Sequence, residues 1–240
     1  MRLDKYVVDK KIIDSRTKAQ DLISNGFVVV NNKIVTNSAY KLNDNDIVEV
    51  NQHDKYVSRG AYKLIAAINK FKINLKDKVV MDIGSSTGGF SQVCLINGAK
   101  KIYAIDVGKN QMNDKLKNNS KIELHEQLNF KDVKLNLFRD QIDFIVVDVS
   151  FISVTKILEK ISELFFYPLK LIILIKPQFE LGKEIIKANR GVIKNKKLWD
   201  KAIDIVSAFV KKLNYKINSL IVSPIKGGDG NKEFLMYLDK

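Results

Sequence analysis

Hydrophobic positions along the chain follow two different rhythms. In the first fifty residues, Leu3, Tyr6 and Val7 recur at helical spacing. Ala19, Leu22 and Ile23 give a second helix its apolar stripe, with Asp14-Ser15 placed to cap its start. Asn25-Gly26 ends that helix, because these residues tolerate the left-handed backbone of a C-terminus. Residues 27–30, Asn31-Asn32 and residues 33–35 read as a strand, a tight turn and a strand, and residues 47–50 as another short strand. Residues 1–50 are therefore expected to form a small α+β module. The polar stretch 51–57, with His53, Asp54 and Lys55, reads as a linker.

From Ser58 the rhythm changes. Ala61, Leu64, Ile65, Ile68 and Phe71 mark one face of a helix, with Lys63 off that stripe. Short runs rich in Ile and Val then recur at 78–83, 101–105, 121–124, 144–147 and 171–175, separated by helical stretches or turns. That alternation predicts a parallel sheet with helices on both faces over residues 58–240. A long helix is expected at 198–213. It is followed by strands at 217–222 and 233–238, whose short, glycine-bearing link forces them antiparallel. The predicted fold is α/β: a Rossmann-like sheet of seven strands with the last antiparallel, the class I methyltransferase variant of a doubly wound fold.

Composition narrows the possibilities. With 45% apolar residues in 240, the chain can build a packed core. The one cysteine, Cys94, lies in an apolar run and excludes an internal disulfide; His53 and His125 show no ligand spacing, so no metal site is expected. The longest apolar stretch is far below the ~20 residues of a membrane helix, and the N-terminus is charged at once, so a cytoplasmic protein is expected. The net charge of +14 favours a polyanion such as nucleic acid, although 36 lysines against 5 arginines also suit a chain from an AT-rich genome. Residues 1–57 carry 9 basic and 8 acidic side chains, so +13 resides in the remainder.

The segment Asp82-Ile83-Gly84-Ser85-Ser86-Thr87-Gly88-Gly89-Phe90 follows the first strand of the sheet and opens a helix. Ligands bind at such strand ends. The glycine spacing departs from G-x-G-x-x-G, which weakens a pyrophosphate cradle and with it a nicotinamide enzyme. S-adenosylmethionine has no phosphate. Asp82 suits its ammonium group, and the backbone from Ser85 to Gly89 suits its carboxylate. Asp106 ends the next strand, 22 residues after Gly84, where an acid reaches ribose hydroxyls. Asn129, past the third strand, is a candidate for the adenine.

Several segments together resemble the TlyA family, whose members carry the names haemolysin and ribosomal RNA 2′-O-methyltransferase and have an FtsJ-like catalytic domain. The segments are residues 56–64, the loop 82–90, Asp148-Val149-Ser150-Phe151-Ile152-Ser153, Lys176-Pro177-Gln178-Phe179-Glu180, Gly191-Val192-Ile193 and Gly230-Asn231-Lys232-Glu233. The front module is similar to the RNA-binding domain of ribosomal protein S-four. That resemblance implies Arg2, Lys5, Arg16 and Lys18 as RNA-gripping residues, with Arg59 added from the 56–64 segment.

The resemblance also implies a Lys-Asp-Lys-Glu tetrad, here Lys63, Asp148, Lys176 and Glu233, with Asp148 also beside the cofactor. Asp148 and Lys176 fall at carboxyl ends of adjacent predicted strands, and Glu233 opens the last one. A ribose hydroxyl needs its proton removed before it attacks, so Lys176 is expected as base and Lys63 as the group aligning the hydroxyl. The implied partner is ribosomal RNA within ribosomal subunits, with cytidine riboses as targets. Two other classes remain. A membrane-active haemolysin requires an amphipathic or spanning segment, and none stands out. A non-catalytic RNA-binding or ribosome-assembly protein has no use for the glycine loop and tetrad together.

Overall fold

The structure is a computed structural model and describes residues 1–24, 27–31, 33–50 and 56–240. The expected helix stop at Asn25-Gly26, the Asn32 half of the Asn31-Asn32 turn and linker residues 51–55 lie outside the described residues. The chain divides into two compact units, Met1–Tyr56 and Val57–Lys240.

In the smaller unit, α1 (Leu3–Asp9) and α2 (Arg16–Ser24) bury Leu3, Val7, Ala19 and Ile23 in a common core. Ser15 caps α2: its Oγ accepts the Lys18 backbone N–H at 3.3 Å. Strands β1 (Val28–Val30), β2 (Lys33–Ile34) and β3 (Val48–Val50) form an antiparallel sheet in the order β2-β1-β3. Asp4, inside α1, is fully buried. It accepts two hydrogen bonds from Arg2 at 3.0 Å each, one from Arg16 at 3.0 Å and one from Gln20 at 2.8 Å. Arg2 leads in pulling this carboxyl well below its ordinary range, against the opposing effect of burial.

The larger unit is a seven-stranded sheet flanked by helices. It opens with α3 (Gly60–Phe71), β4 (Val79–Ile83), α4 (Gly89–Ile96), β5 (Lys101–Ile105), α5 (Asp114–Lys117) and β6 (Ile122–His125). It continues with β7 (Phe144–Val147), α6 (Val154–Leu164), β8 (Lys170–Ile175), α7 (Pro177–Glu180), α8 (Lys183–Ala188), α9 (Lys196–Lys212), β9 (Lys216–Val222) and β10 (Phe234–Asp239). The strand order is β6-β5-β4-β7-β8-β10-β9. β4 to β8 pair in parallel, and β10 runs antiparallel to both of its neighbours, as the short link to β9 requires. Central strands β4 and β7 are buried at every position because helices cover both faces, whereas edge strand β9 alternates between half-buried and exposed. Cys94 is buried on α4.

Two features position the site. The register pairs Phe234 at the start of β10 with Ile175 at the end of β8, so the turn before β10 meets the carboxyl edge of the parallel strands. Gly84, at the top of β4 with φ +82°, lies where a Cβ would sit 2.3 Å from the Asp148 carbonyl oxygen. Only glycine lets the ends of β4 and β7 approach this closely.

Candidate active site

Asp148 follows β7, Lys176 follows β8, Glu233 precedes β10, and Lys63 projects from α3. The four side chains meet. Lys63 Nζ lies 2.8 Å from Glu233 Oε2 and 3.4 Å from Asp148 Oδ2, and Lys176 Nζ lies 2.7 Å from Asp148 Oδ1. Both lysines are buried, with 7% and 9% of their side chains exposed. Lys63, off the apolar stripe of α3, is nonetheless turned inward, where two carboxylates compensate its charge. Glu233 sits one residue ahead of β10, and its carbonyl accepts the Ser223 backbone N–H at 2.9 Å.

The charges are unequal in their surroundings. Burial pulls the Lys63 ammonium down, but Asp148 and then Glu233 outweigh it and hold Lys63 above its ordinary value. Burial likewise raises the Asp148 carboxyl, and the two lysines more than reverse this, leaving it lowered. Lys176 faces one carboxylate and donates a hydrogen bond to Ser150 Oγ at 2.8 Å. Ser150 is a contact that the sequence did not single out, although it lies two residues from Asp148.

Beside the tetrad is a cavity of about 380 Å³ over the ends of β4, β5 and β7. Its apolar walls include Ile83, Val107, Leu128, Phe130 and Val149; its polar groups are Ser86, Asp106, Asn129, Asp148 and Ser150. Asp106 Oδ2 accepts the Ser86 N–H at 2.8 Å and its Oδ1 the Gly108 N–H at 2.7 Å, which fixes the carboxylate at the cavity wall. Asn129 lines the cavity too, while its Oδ1 caps a short 3₁₀ turn by accepting the Lys131 N–H at 3.1 Å. The other loop residues are placed differently. Thr87, Gly88, Gly89 and Phe90 do not line this cavity, and Phe90 is buried. Asp82 lies beneath the loop, fully buried, its Oδ2 accepting a 2.6 Å bond from Ser91 Oγ. Its Oδ1 and the buried Ser85 Oγ find no hydrogen-bond partner among the described residues.

These features suit S-adenosylmethionine. An apolar slot with a few convergent polar groups fits an adenosine, and two unpartnered buried oxygens beside the loop are acceptors for an ammonium and its hydration. Phe151 belongs to a segment that carries the family resemblance, but no signal in the sequence assigned it a role of its own. It is 92% exposed at the cavity mouth, in left-handed backbone (φ 65°), with its ring 5.4 Å from that of Phe179. A bulky residue held there is unusual enough to suggest function.

Among the RNA-binding candidates, Arg2 and Arg16 are half-exposed and share Asp4, and Lys18 pairs on the surface with Asp14 at 3.4 Å. Lys5 is exposed on α1. Arg59 precedes α3, one turn before Lys63, with its guanidinium 3.5 Å from where a Cβ on Gly228 would lie. The structure therefore gathers the tetrad, puts Asp106 and Asn129 at one cavity, and leaves the four front-module cations in a separate unit.

Comparison with known proteins agrees with this geometry. Residues 56–240 match the model of the FtsJ-like methyltransferase family, and residues 1–48 match the S4 domain. Hemolysin A of Brachyspira hyodysenteriae is 41% identical over 99% of both chains. The 23S rRNA (cytidine-2′-O)-methyltransferase TlyA of Campylobacter jejuni is 37% identical over the whole of both. A solved hemolysin-like structure from Streptococcus thermophilus superposes with a TM-score of 0.78 at 34% identity, over 100% of this chain and 88% of that one. By this match and these relatives, the chain belongs to the FtsJ-like methyltransferase family, with an S4 domain in front, and is similar over its full length to the TlyA and hemolysin A proteins.

Proposed function

We propose that this protein transfers the methyl group of S-adenosylmethionine to a ribose 2′-hydroxyl of ribosomal RNA, a cytidine in one or both subunits. The observation that carries this reading is the meeting of Lys63, Asp148, Lys176 and Glu233 beside a nucleoside-sized cavity that Asp148 lines. The cofactor supplies an electrophilic methyl on a cationic sulfur. Asp106 would hold its ribose, Asn129 its adenine, and Asp82 with the Ser85–Ser86 loop its amino-acid end. Lys63, held cationic between two carboxylates, is unsuited to accept a proton; it orients the hydroxyl. Lys176 faces a single carboxylate and takes the hydroxyl proton on Nζ as the oxygen attacks. Asp148 aligns both amines, Glu233 anchors Lys63, and Ser150 fixes Lys176. Burial keeps these dipoles preorganised, which is where most of the rate is expected to arise. Phe151 offers its exposed ring to the target base.

Residues 1–50 are proposed as the RNA-binding domain, 51–57 as its linker and 58–240 as the catalytic domain. Arg2, Lys5, Arg16, Lys18 and Arg59 would meet phosphates. A ribosomal substrate places the work in the cytoplasm. The Hemolysin A name of one relative raises a membrane role, but among the described residues no helix is long and apolar enough to cross a membrane.

The test is methylation of unmodified ribosomes, subunits and free RNA with labelled S-adenosylmethionine, followed by mapping of the modified ribose. Lys176→Ala should lower turnover by roughly 10²–10⁴-fold while keeping cofactor binding. Label on a base, or full turnover by Lys176→Ala, refutes the assignment.

A further inference from the structure

A second cavity, of about 570 Å³, opens between the loop after α8 and the turn before β10. Arg190, Lys194 and Lys226 line it, with Asp229 as the one acidic side chain. All three cations are exposed, and none forms an ion pair among the described residues. Elsewhere on the surface, lysines such as Lys18 and Lys156 do find carboxylates. Three cations against one carboxylate leave the hollow with a net positive charge, which favours entry of an anion.

The backbone walls of the hollow are tied together by hydrogen bonds. Arg190 sits in left-handed backbone (φ 52°). Asn231, only 1% exposed, spans the two walls: its Oδ1 accepts the Ile193 N–H at 2.8 Å and its Nδ2 donates to the Gly191 carbonyl at 2.9 Å. Trp199 Nε1 donates to the Ile193 carbonyl at 2.7 Å and braces the same loop. On the other wall, the Gly227 N–H donates to the Asn231 carbonyl at 2.9 Å. Gly227 also packs directly on the tetrad, since a Cβ there would lie 2.4 Å from Glu233 Oε1. The loop that carries Arg190 and Lys194 is therefore tied through Asn231 to the turn that carries Lys226 and Glu233.

We propose that this hollow is a dock for the phosphodiester backbone of the substrate RNA next to the target nucleotide, and that Asn231 is a positioning residue that sets the dock at a fixed distance from Glu233. The dock rests on the RNA-methyltransferase reading for its ligand. Mobile surface lysines would attract RNA without orienting it. Cations on a loop fixed to the Glu233 turn can convert backbone binding into alignment of the ribose.

The test compares the full-length chain with R190A/K194A/K226A, D229N, N231A and N231D. Three readouts are taken: methyl transfer to unmodified ribosomal RNA, RNA binding by filter retention across salt, and S-adenosylmethionine binding by calorimetry. The triple variant should raise KM for RNA by roughly tenfold or more and flatten the slope of log affinity against log salt by about 2, with cofactor binding intact. D229N should tighten RNA binding. N231A should keep the salt slope, because the cations remain, and lower kcat about tenfold. N231D keeps the acceptor for Ile193 and should recover part of that loss. A triple variant with unchanged KM and salt slope overturns the dock. An N231A protein whose defect lies in KM, or in cofactor binding, overturns the positioning role. Binding of the triple variant to phosphatidylglycerol vesicles lowered in place of RNA binding also overturns the proposal, in favour of a lipid surface. If wild-type protein binds RNA with the expected salt slope but methylates no ribose, the catalytic reading fails while the dock stands.

Discussion

Each unit of this protein has an aspartate that gathers two cations, and the two clusters differ in where the cations point. Asp4 is fully buried, yet Arg2 and Arg16 remain 42% and 49% exposed. Asp148 holds Lys63 and Lys176, and both are almost wholly inside. In the first cluster the carboxylate aligns guanidinium groups whose outer edges stay in water, available to phosphate oxygens. In the second, the ammonium groups are almost wholly buried, and the carboxylate between them lines the cavity. Asp4 is wholly buried while Asp148 keeps 17% of its side chain exposed, so it is burial of the cations that separates the proposed RNA-gripping surface from the proposed reaction site.

The sharpest way to break this comparison is to remove the anion from each cluster. Asp148→Ala leaves two buried ammonium groups with Glu233 alone. Loss of one partner of a buried ion pair costs about 3–5 kcal/mol, so thermal unfolding should shift markedly and methyl transfer should disappear. A variant that keeps turnover within a few-fold would show that the lysines do not depend on Asp148.

Asp82 sharpens the contrast, because it is buried without a cation. Burial pushes its carboxyl up to about 7; the Ser91 hydrogen bond opposes this, and the neighbouring charge of Asp148 adds to it. In the unfolded chain an aspartate titrates near ~3.9. The folded state therefore holds a proton that the unfolded state releases, so stability should fall as pH rises from ~4 to ~7, by up to ~1.4 kcal/mol per pH unit. Denaturant titrations at several pH values should show this slope in the wild type and its loss in Asp82→Asn. A cofactor ammonium arriving near Oδ1 should expel the proton, visible as buffer-dependent binding heat near pH 6. Equal slopes in both proteins would show that Asp82 is ionised throughout.

Much of the fold was legible because it depends on local pattern. Runs such as Val79–Ile83 and Phe144–Val147 are continuous because helices cover both faces of the sheet, and the short β9–β10 link dictates antiparallel pairing. The insertion of β10 between β8 and β9 was not legible, since it is decided by pairing at long range. The short helices α7 and α8 escaped for a related reason: Leu181 and Ile193 share a small cluster under α9 that no single segment displays. The site divides in the same way. The glycine loop announced a ligand. The tetrad joins residues 85 apart, as in Lys63 and Asp148, and was reached through family resemblance rather than spacing. Asp4 reads as an ordinary helix acid until Arg2, Arg16 and Gln20 fold over it.

Asp4→Ala should affect the smaller unit more gently than Asp148→Ala affects the larger. Arg2 and Arg16 are half-exposed and can recover hydration, so the expected cost is about 1–3 kcal/mol, mostly from lost charge-assisted hydrogen bonds. Because the Asp4 carboxyl is held below its ordinary range, its contribution is present above pH ~4 and is lost as pH falls through the folded value. RNA affinity should drop with it, because the guanidinium groups lose their alignment, while kcat at saturating RNA stays within a few-fold. Lys5→Ala is the smallest change. Lys5 is exposed on α1 and has no ion pair among the described residues, so stability should move by less than ~0.5 kcal/mol. If Lys5 meets a phosphate, the salt dependence of RNA binding should still flatten by about one unit. Filter binding across salt separates these outcomes. A stability loss without a change in salt slope would place Lys5 among the scaffold residues with Asp4, and would remove α1 from the surface that grips RNA.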